Sequence, residues 1–403
     1  MIPAVEARLS ASRSSLPELL SVLETLRLWV EERDYAGYEP YDLLNSPRLS
    51  GLWRTSAVAS SAIIQCGKRF AGPRMRRWLG VPPSKNPKAL GLFLAGYCDL
   101  ARNSGVFRDQ SAYLRSELKR LRAADETDYA WGYDWNYVSL RGSVLPAFAA
   151  NSIATVFCAE ALLDAADVFG DRESARMADS AAHFCLTRLN VSWETPSEIC
   201  FSYTPGDRTL IFNNSALVGA LFARIGGTSG SADYLAVASR AMNYLSARQR
   251  DDGAWVYGSG PMQQWVDGFH TAYNLSALVT CRRHTEDNWF DDAIARGYEF
   301  YKRACFTGEC VPKYFDKGLY PIDIHACAQA ILTFCDFVER DADALAHAIK
   351  VARWTIRNMR SPEGVFYYQR HRTWTNRTPY MRWGQAWMFR ALARLIATIK
   401  KYG

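Results

Sequence analysis

The stretch QRDDGAWVYG (249–258), followed by WVDGFHTAYNLSALV (265–279), reads as a turn, an aromatic and polar loop, and an apolar helix. The same order returns in FTGECVPKYF (306–315) with IDIHACAQAIL (322–332), and again in SPEGVFYYQR (361–370) with MRWGQAWMFRAL (381–392). Gly253, Gly308 and Gly364 lie 55 and 56 residues apart, and seventeen residues past each stand His270, His325 and Met381. Self-similarity at such a period means one supersecondary unit used repeatedly.

Working outward, apolar helices with small residues appear at 89–105, 147–170 and 213–227, and anchoring on Asn151, Asn214, His270, His325 and Arg382 gives steps of 63, 56, 55 and 57. Six units result. Between them the sequence predicts helices over 110–124, 173–190, 232–249, 290–305 and 343–360 whose apolar residues recur at three and four, as Tyr234, Val237, Ala238, Ala241 and Leu245 do. One-sided helices alternating with helices apolar all round make an outer ring about an inner ring. The expected fold is all-α: an (α/α)6 toroid of six helical hairpins, with short β pieces at 255–258 and 366–374 in the loops of one mouth. One domain, 1–403, is expected, with an N-terminal helix and covering loop over 1–50 and the repeats over 51–403.

Hydrophobic residues make up 49% of the 403 and charged residues 22%, so a large core is within reach and disorder is excluded. The basic excess, 48 Lys+Arg against 41 Asp+Glu, is too small and dispersed to suggest a nucleic-acid partner. Its one cluster, Arg69, Arg74, Arg76 and Arg77, reads as solvated surface. Ten cysteines have no framework or metal-ligand spacing, and most, Cys66 and Cys98 among them, sit in apolar helical runs, which suits a reducing compartment. Residues 1–15 show no leader pattern, and no run of 18 apolar residues offers a transmembrane span. A cytoplasmic protein with no metal and no cofactor is expected.

In a double ring every outer-to-inner connection emerges at one mouth, and here those are the long, aromatic and charged loops: 131–146, 200–212, 255–270, 310–325 and 366–383. Function-bearing loops on a rigid scaffold are the general pattern. Trp135, Tyr203, Trp255, Trp265, Tyr320, Tyr368 and Trp383 offer flat faces and polar tips matched to sugar rings, and Tyr41, in the loop DYAGYEPYDLLNSP (34–47), is placed to cover them. Asp267 with His270, and Asp323 with His325, open two successive inner helices, a register shared by Asn214. Both imidazoles should therefore reach the mouth at similar depth, where acid–base chemistry near neutral pH would use them. Asp134, Asp267 and Asp323 are the carboxylates that glycoside hydrolysis would need. Arg372 and Arg382 add guanidinium forks suited to a carboxylate, so an acidic sugar is the expected ligand.

The run Gln249-x-x-Asp252-Gly253-x-Trp255 resembles the glutamine–tryptophan repeat of triterpene cyclases and protein prenyltransferase subunits, in which it ties outer helices to turns. No DDxxD motif or zinc set accompanies it, and GxSxG, Walker, HExxH and dinucleotide glycine motifs are absent. The segments GYEPYD (37–42), FNNSAL (212–217), QRDDGAWVYG, WVDGFHTAYNL, IDIHACAQA and WTNRTPYMRWGQAWMFRAL (374–392) resemble those of bacterial proteins encoded among polysaccharide-biosynthesis genes, a family of the six-hairpin glycosidase-like superfamily. This resemblance spans roughly residues 35 to 398 and implies a glycan or lipid-linked sugar as substrate, with polysaccharide assembly proteins as partners. IDIHACAQA is also similar to a short segment of uronate C5-epimerases. The expected function is modification of an acidic glycan, by epimerase- or lyase-type proton abstraction on His270 and His325 with Arg382 holding the carboxylate, or by hydrolysis on two of the three aspartates. A non-catalytic glycan-binding scaffold is the competing reading, and an isoprenoid enzyme the third.

Overall fold

The computed structural model describes residues 13–53, 56–102, 104–138, 144–285 and 288–403. Most of the segment read for a leader, and the centre of the loop 131–146, lie outside them. Inner helices α4 (Pro87–Ala101), α6 (Ser152–Phe169), α8 (Phe212–Ser229), α10 (Gly268–His284), α12 (Ile324–Asp336) and α14 (Trp387–Tyr402) each pack on the next, and α14 returns to α4. The ring is closed. Outside it stand α1 (Leu16–Glu32), α5 (Arg108–Arg120), α7 (Arg172–Thr187), α9 (Ala232–Ser246), α11 (Asp291–Ala304) and α13 (Ala344–Met359). The fold is the expected (α/α)6 toroid. Between α1 and α4 the chain inserts a covering loop, a single turn at Ser50–Trp53, and two further helices, α2 (Ala57–Phe70) and α3 (Pro73–Trp78).

Most buried apolar residues form one core running between the two rings, and Leu43, Ala71 and Val81 form a small separate cluster beneath the inserted segment. Two tryptophans act as pegs in equivalent places: the indole nitrogen of Trp131 donates to Leu118 O of α5 at 2.8 Å, and that of Trp255 to Leu245 O of α9 at 3.0 Å. Trp255 is thus core, wedged against Gly297 of α11, and not at the mouth where its sequence context placed it. At the far end of the ring, Arg224 of α8 pairs with Glu160 and Asp164 of α6, while Arg390 and Arg394 of α14 pair with Asp99 of α4. These buried and half-buried ions close the end opposite the long loops.

Short strands lie in the mouth loops, as expected, though elsewhere than at 255–258. Tyr137–Val138 pairs with Val144–Leu145, Val191–Glu194 with Ile199–Phe201, and Ile322–Asp323, Gln369–Arg370 and Thr375–Asn376 form a three-stranded sheet. Residues 255–258 contribute only one bridge, Gly258 to Ile211.

The repeat register needs one correction. Gly253 and Gly364 have φ of +90° and +94°, and each closes a turn by donating to the residue three before it. In the middle copy that hydrogen bond comes from Cys310, at φ +59°, and Gly308 stands outside the pattern in open space. Geometry, not residue identity, marks the equivalent site. A Cβ on Gly253 would come within 2.4 Å of Arg296 O, so Gly253→Ala should cost well over ~1 kcal/mol in urea unfolding, while Gly308→Ala should be neutral or gain up to ~1 kcal/mol. Equal costs at both glycines would contradict this register.

Candidate active site at the N-terminal mouth of the inner ring

All six inner helices point their N-termini at the mouth of the long loops. Four of the six first turns are held by side chains: Asn86 accepts from Ala89 N, Asn151 from Ala154 N, Asp267 from His270 N and Asp323 from His325 N. Each cap satisfies an amide that has no partner inside its helix. The second residue of each helix is then Lys88, Ile153, Asn213, Phe269, His325 and, in the π turn Met381–Ala386 that leads into α14, Arg382. All six retain between 2 and 4% exposure.

Lys88 shows where that layer lies. Its Nζ sits 3.9 Å from the ring centre of Phe157 on α6, 5.2 Å from Trp387 on α14 and 5.7 Å from Tyr273 on α10, the helix diametrically opposite its own. The amine is on the ring axis. Among the described residues it makes no hydrogen bond and no ion pair, and burial, reinforced by the nearby Arg382, holds it well below the usual lysine range. Nothing in the sequence analysis singled out Lys88, because PKALGLFLAGY reads as an ordinary helix start. Its only signal was a lysine at the second position of a helix that is otherwise apolar.

The two histidines are not equivalent. Asp323 caps the residue two ahead of it and Asp267 the residue three ahead, so His325 corresponds to Phe269 and His270 to Ala326. One helical residue turns a side chain by about 100°, and the depths differ accordingly. His325 is buried, stacked between Phe269 (4.6 Å) and Trp387 (4.4 Å), with Nε2 at 2.7 Å from Tyr273 Oη and Nδ1 without a partner. Burial, then the charges of Lys88 and Arg382, lower its pKa far below the usual histidine value, so this imidazole is neutral. His270 is partly exposed. Its Nδ1 meets Asp267 Oδ2 at 2.6 Å, and that oxygen also accepts from Trp265 Nε1 at 3.0 Å. Nε2 of His270 has no partner among the described residues.

Above this floor stand Tyr133, Tyr203, Tyr257 and Tyr314. All are partly exposed, yet the protein around them pushes every phenol up. Half-buried above the floor, these four rings are the walls that a recess over Lys88 would have. Tyr133 and Tyr203 share a hydrogen bond of 2.9 Å, Tyr133 stacks on Trp135 at 4.3 Å, and Trp135 stacks in turn on Tyr41 at 5.5 Å. Trp265 covers Tyr257 at 4.6 Å.

Arg382 lies beneath Tyr133, Trp135 and Trp383, 4.9 to 5.3 Å from their centres, and pairs with the buried Glu39 at 2.9 Å. Burial pushes the Glu39 carboxyl up against the pull of that guanidinium. Glu39 arrives on the covering loop, which Arg76 fastens from behind: it is fully buried, pairs with Asp42 at 2.7 Å and donates to Glu39 O at 3.0 Å. Of the cluster read as solvated surface, Arg76 is therefore the exception, and Arg69, Arg74 and Arg77 remain exposed.

Several candidates hold the site without facing it. Asp134 accepts from Ser84 Oγ and from Asn86 Nδ2 (2.6 Å), and its carbonyl from Asn45, so it anchors the covering loop. Asp323 accepts from Trp383 Nε1, Gln369 Nε2 and its own helix. Asn214 donates its amide to Phe201 O and Ser202 O, and its Oδ1 accepts from Ser152 Oγ, bracing a loop from inside. Tyr368 is buried beneath Tyr380 and Trp383. Tyr320 and Arg372 are exposed. Cys66, read as apolar, is exposed too.

Asp323 has no cationic partner among the described residues, and burial raises its pKa to about 6 despite hydrogen bonds from Gln369, Trp383 and the amides of its own helix. The native carboxyl keeps its proton up to about pH 6 while the unfolded one releases it near 4. The folded state thus binds more protons across that window, and stability must fall as pH rises from about 4 to 6. Asp323→Asn should flatten this slope, removing roughly 2–3 kcal/mol of pH dependence in urea midpoints measured at both ends. A slope identical in both proteins would refute the assignment.

No family model and no curated protein matches the chain. Solved structures do share the fold. Cellobiose 2-epimerase from Spirochaeta thermophila aligns over 79% of this chain and 86% of its own at 14% identity and a TM-score of 0.58. An unsaturated glucuronyl hydrolase specific for heparin aligns over 80% and 89% at 12% identity and 0.58, and a D-mannose isomerase over 78% and 87% at 9% and 0.60.

Proposed function

We propose that this protein is a carbohydrate-active enzyme that moves a proton at a sugar carbon, as an epimerase, isomerase or lyase does, on an acidic or lipid-linked glycan of bacterial surface polysaccharide assembly. The observation that carries the reading is the Asp267–His270 pair at the mouth, whose imidazole is partly exposed and whose Nε2 has no partner among the described residues. A carboxylate on Nδ1 fixes the tautomer, orients the ring and stabilises the imidazolium that forms when Nε2 takes a proton. Hydrolysis is less well supported, because it needs two available carboxylates. Asp134 and Asp323 are both enclosed in hydrogen bonds, and Asp267 is engaged with His270 and Trp265.

His270 serves as base toward a carbon next to a carbonyl or carboxyl group. His325 with Tyr273 is the second proton-carrying pair, at the floor. Lys88 takes the part first expected of Arg382: Arg382 already has Glu39, whereas Lys88 has no anionic partner, so a substrate carboxylate or oxyanion would supply one. The stacked Tyr41, Trp135 and Tyr133 offer the flat faces on which a sugar ring rests. The glycan context rests on the resemblance to polysaccharide-biosynthesis proteins, and the sugar chemistry agrees with the named activities of the structural neighbours.

The test is proton NMR in heavy water over a panel of reducing disaccharides, uronates and lipid-linked oligosaccharides. Solvent deuterium should enter at one ring carbon, His270→Gln should slow that exchange by 10²-fold or more, and Asp134→Asn should leave His270 chemistry in place if the fold survives. Release of a reducing end without deuterium at carbon would establish hydrolysis instead. Lys88→Met should raise KM for acidic substrates at least tenfold and leave neutral ones nearly unchanged. Equal losses on both classes would remove Lys88 from carboxylate recognition.

A further inference from the structure

From Leu43 to Cys98 the sequence contains no Asp or Glu, yet it holds nine Lys and Arg, and the remainder of the chain has more acidic than basic residues. The positive excess is therefore not dispersed, as it was expected to be, but resides in the inserted segment and the helix that follows it. Arg76 and Lys88 are buried and Lys85 is paired with Asp34 and Glu117. Arg48, Arg69, Arg74 and Arg77 are exposed, and none of the four forms an ion pair among the described residues.

Large apolar side chains stand among these cations. Val58, Phe70 and Trp78 are 79, 70 and 68% exposed, and Met75 is also exposed. Phe70 ends α2 and Trp78 ends α3, with Arg69 over the Phe70 ring at 5.9 Å and Arg48 over Trp78 at 5.3 Å. Helix α2 meets the body along a single line, where Ser60 and Gly67 are buried and Gly67 lies against Leu43. Ile63 packs beside that line on the small cluster of Leu43, Ala71 and Val81, and Val58, Cys66, Arg69 and Phe70 face outward.

We infer that α2 and α3 form a docking face for the surface of a bilayer bearing anionic headgroups. Aromatic and aliphatic side chains that enter the headgroup boundary, ringed by Arg and Lys and free of carboxylates, are the composition of an interfacial anchor. The absence of any Asp or Glu from Leu43 to Cys98 suits an anionic surface in particular, because every exposed charge on this face has the sign that such headgroups attract. No helix among the described residues is long and apolar enough to cross a membrane, so the contact is with the surface. The face adjoins the mouth: Lys68 lies 4.7 Å over Tyr41, and Asn376 donates to Lys68 O at 2.8 Å. Docked this way, the recess opens beside the bilayer. That last step rests on the sugar-modifying reading, and it gives a glycan carried on a membrane lipid direct access to His270.

Co-sedimentation of the full chain with vesicles tests the docking without reference to catalysis. The protein should pellet with phosphatidylcholine vesicles that contain phosphatidylglycerol and stay in solution with phosphatidylcholine alone. Raising salt should weaken the binding. Phe70→Ser with Trp78→Ser, and separately Arg69→Glu with Arg74→Glu, should each reduce partitioning at least tenfold, with unfolding midpoints unchanged because all four side chains are exposed. Absence of binding to anionic vesicles, or equal binding by the variants, would overturn the proposal. So would a concentration-dependent dimer in size exclusion that the Phe70 and Trp78 changes dissociate, because the face would then belong to a second copy of the chain. Turnover of a soluble sugar should survive these changes, so failure of the docking face and failure of the sugar reading are separately visible.

Discussion

In a ring of six inner helices that all run in one direction, the second residue of each is carried to the axis, and every feature of the mouth follows from that. Capping fixes the phase: Asn86, Asn151, Asp267 and Asp323 each set where a first turn begins. A change of one residue in that phase exchanges a sealed position for an exposed one. This is why Phe269 fills the place that His325 occupies on the neighbouring helix, and why His270 alone of the two imidazoles is partly exposed.

Charge follows the same geometry. Each helix N-terminus carries roughly half a positive unit, and six converge on this end together with Lys88 and Arg382. The carboxylates that answer them are divided between tasks. Asp323 and Asp134 are enclosed in hydrogen bonds, Glu39 is bound to Arg382, and Asp267 is bound to His270. Lys88 is left on the axis with aromatic faces but no anion. A carboxylate brought from outside would complete the set, which agrees with an acidic ligand.

The ring was readable from the sequence because its cause is periodic: apolar spacing marks inner and outer helices, and the copies around His270, His325 and Arg382 are close enough to count. The loops were less legible. A turn is set by backbone conformation, so Cys310 stands where a glycine was expected and Gly308 does not. Trp255 looked like a sugar platform because it lies in an aromatic loop, but its indole is a peg in the core, as that of Trp131 is. Asn214 and Asp323 were placed at the mouth by register, while their side chains turn inward to backbone and indole partners that no spacing reveals. Lys88 and Glu39 were missed for the converse reason, since each gains its meaning from residues across the ring. Arg76, one of four similar arginines in a row of surface character, is distinguished only by Asp42 beneath it.

The central claim is that Lys88 from one side of the ring and His270 from the other share one recess. A crystal structure of the protein soaked with a uronic acid measures it most directly. The account predicts the sugar ring over Tyr133 and Trp135, its carboxylate within hydrogen-bond distance of Lys88 Nζ, and a ring carbon facing His270 Nε2. A ligand bound elsewhere, or a mouth closed by side chains with no room for a sugar above Lys88, would contradict it.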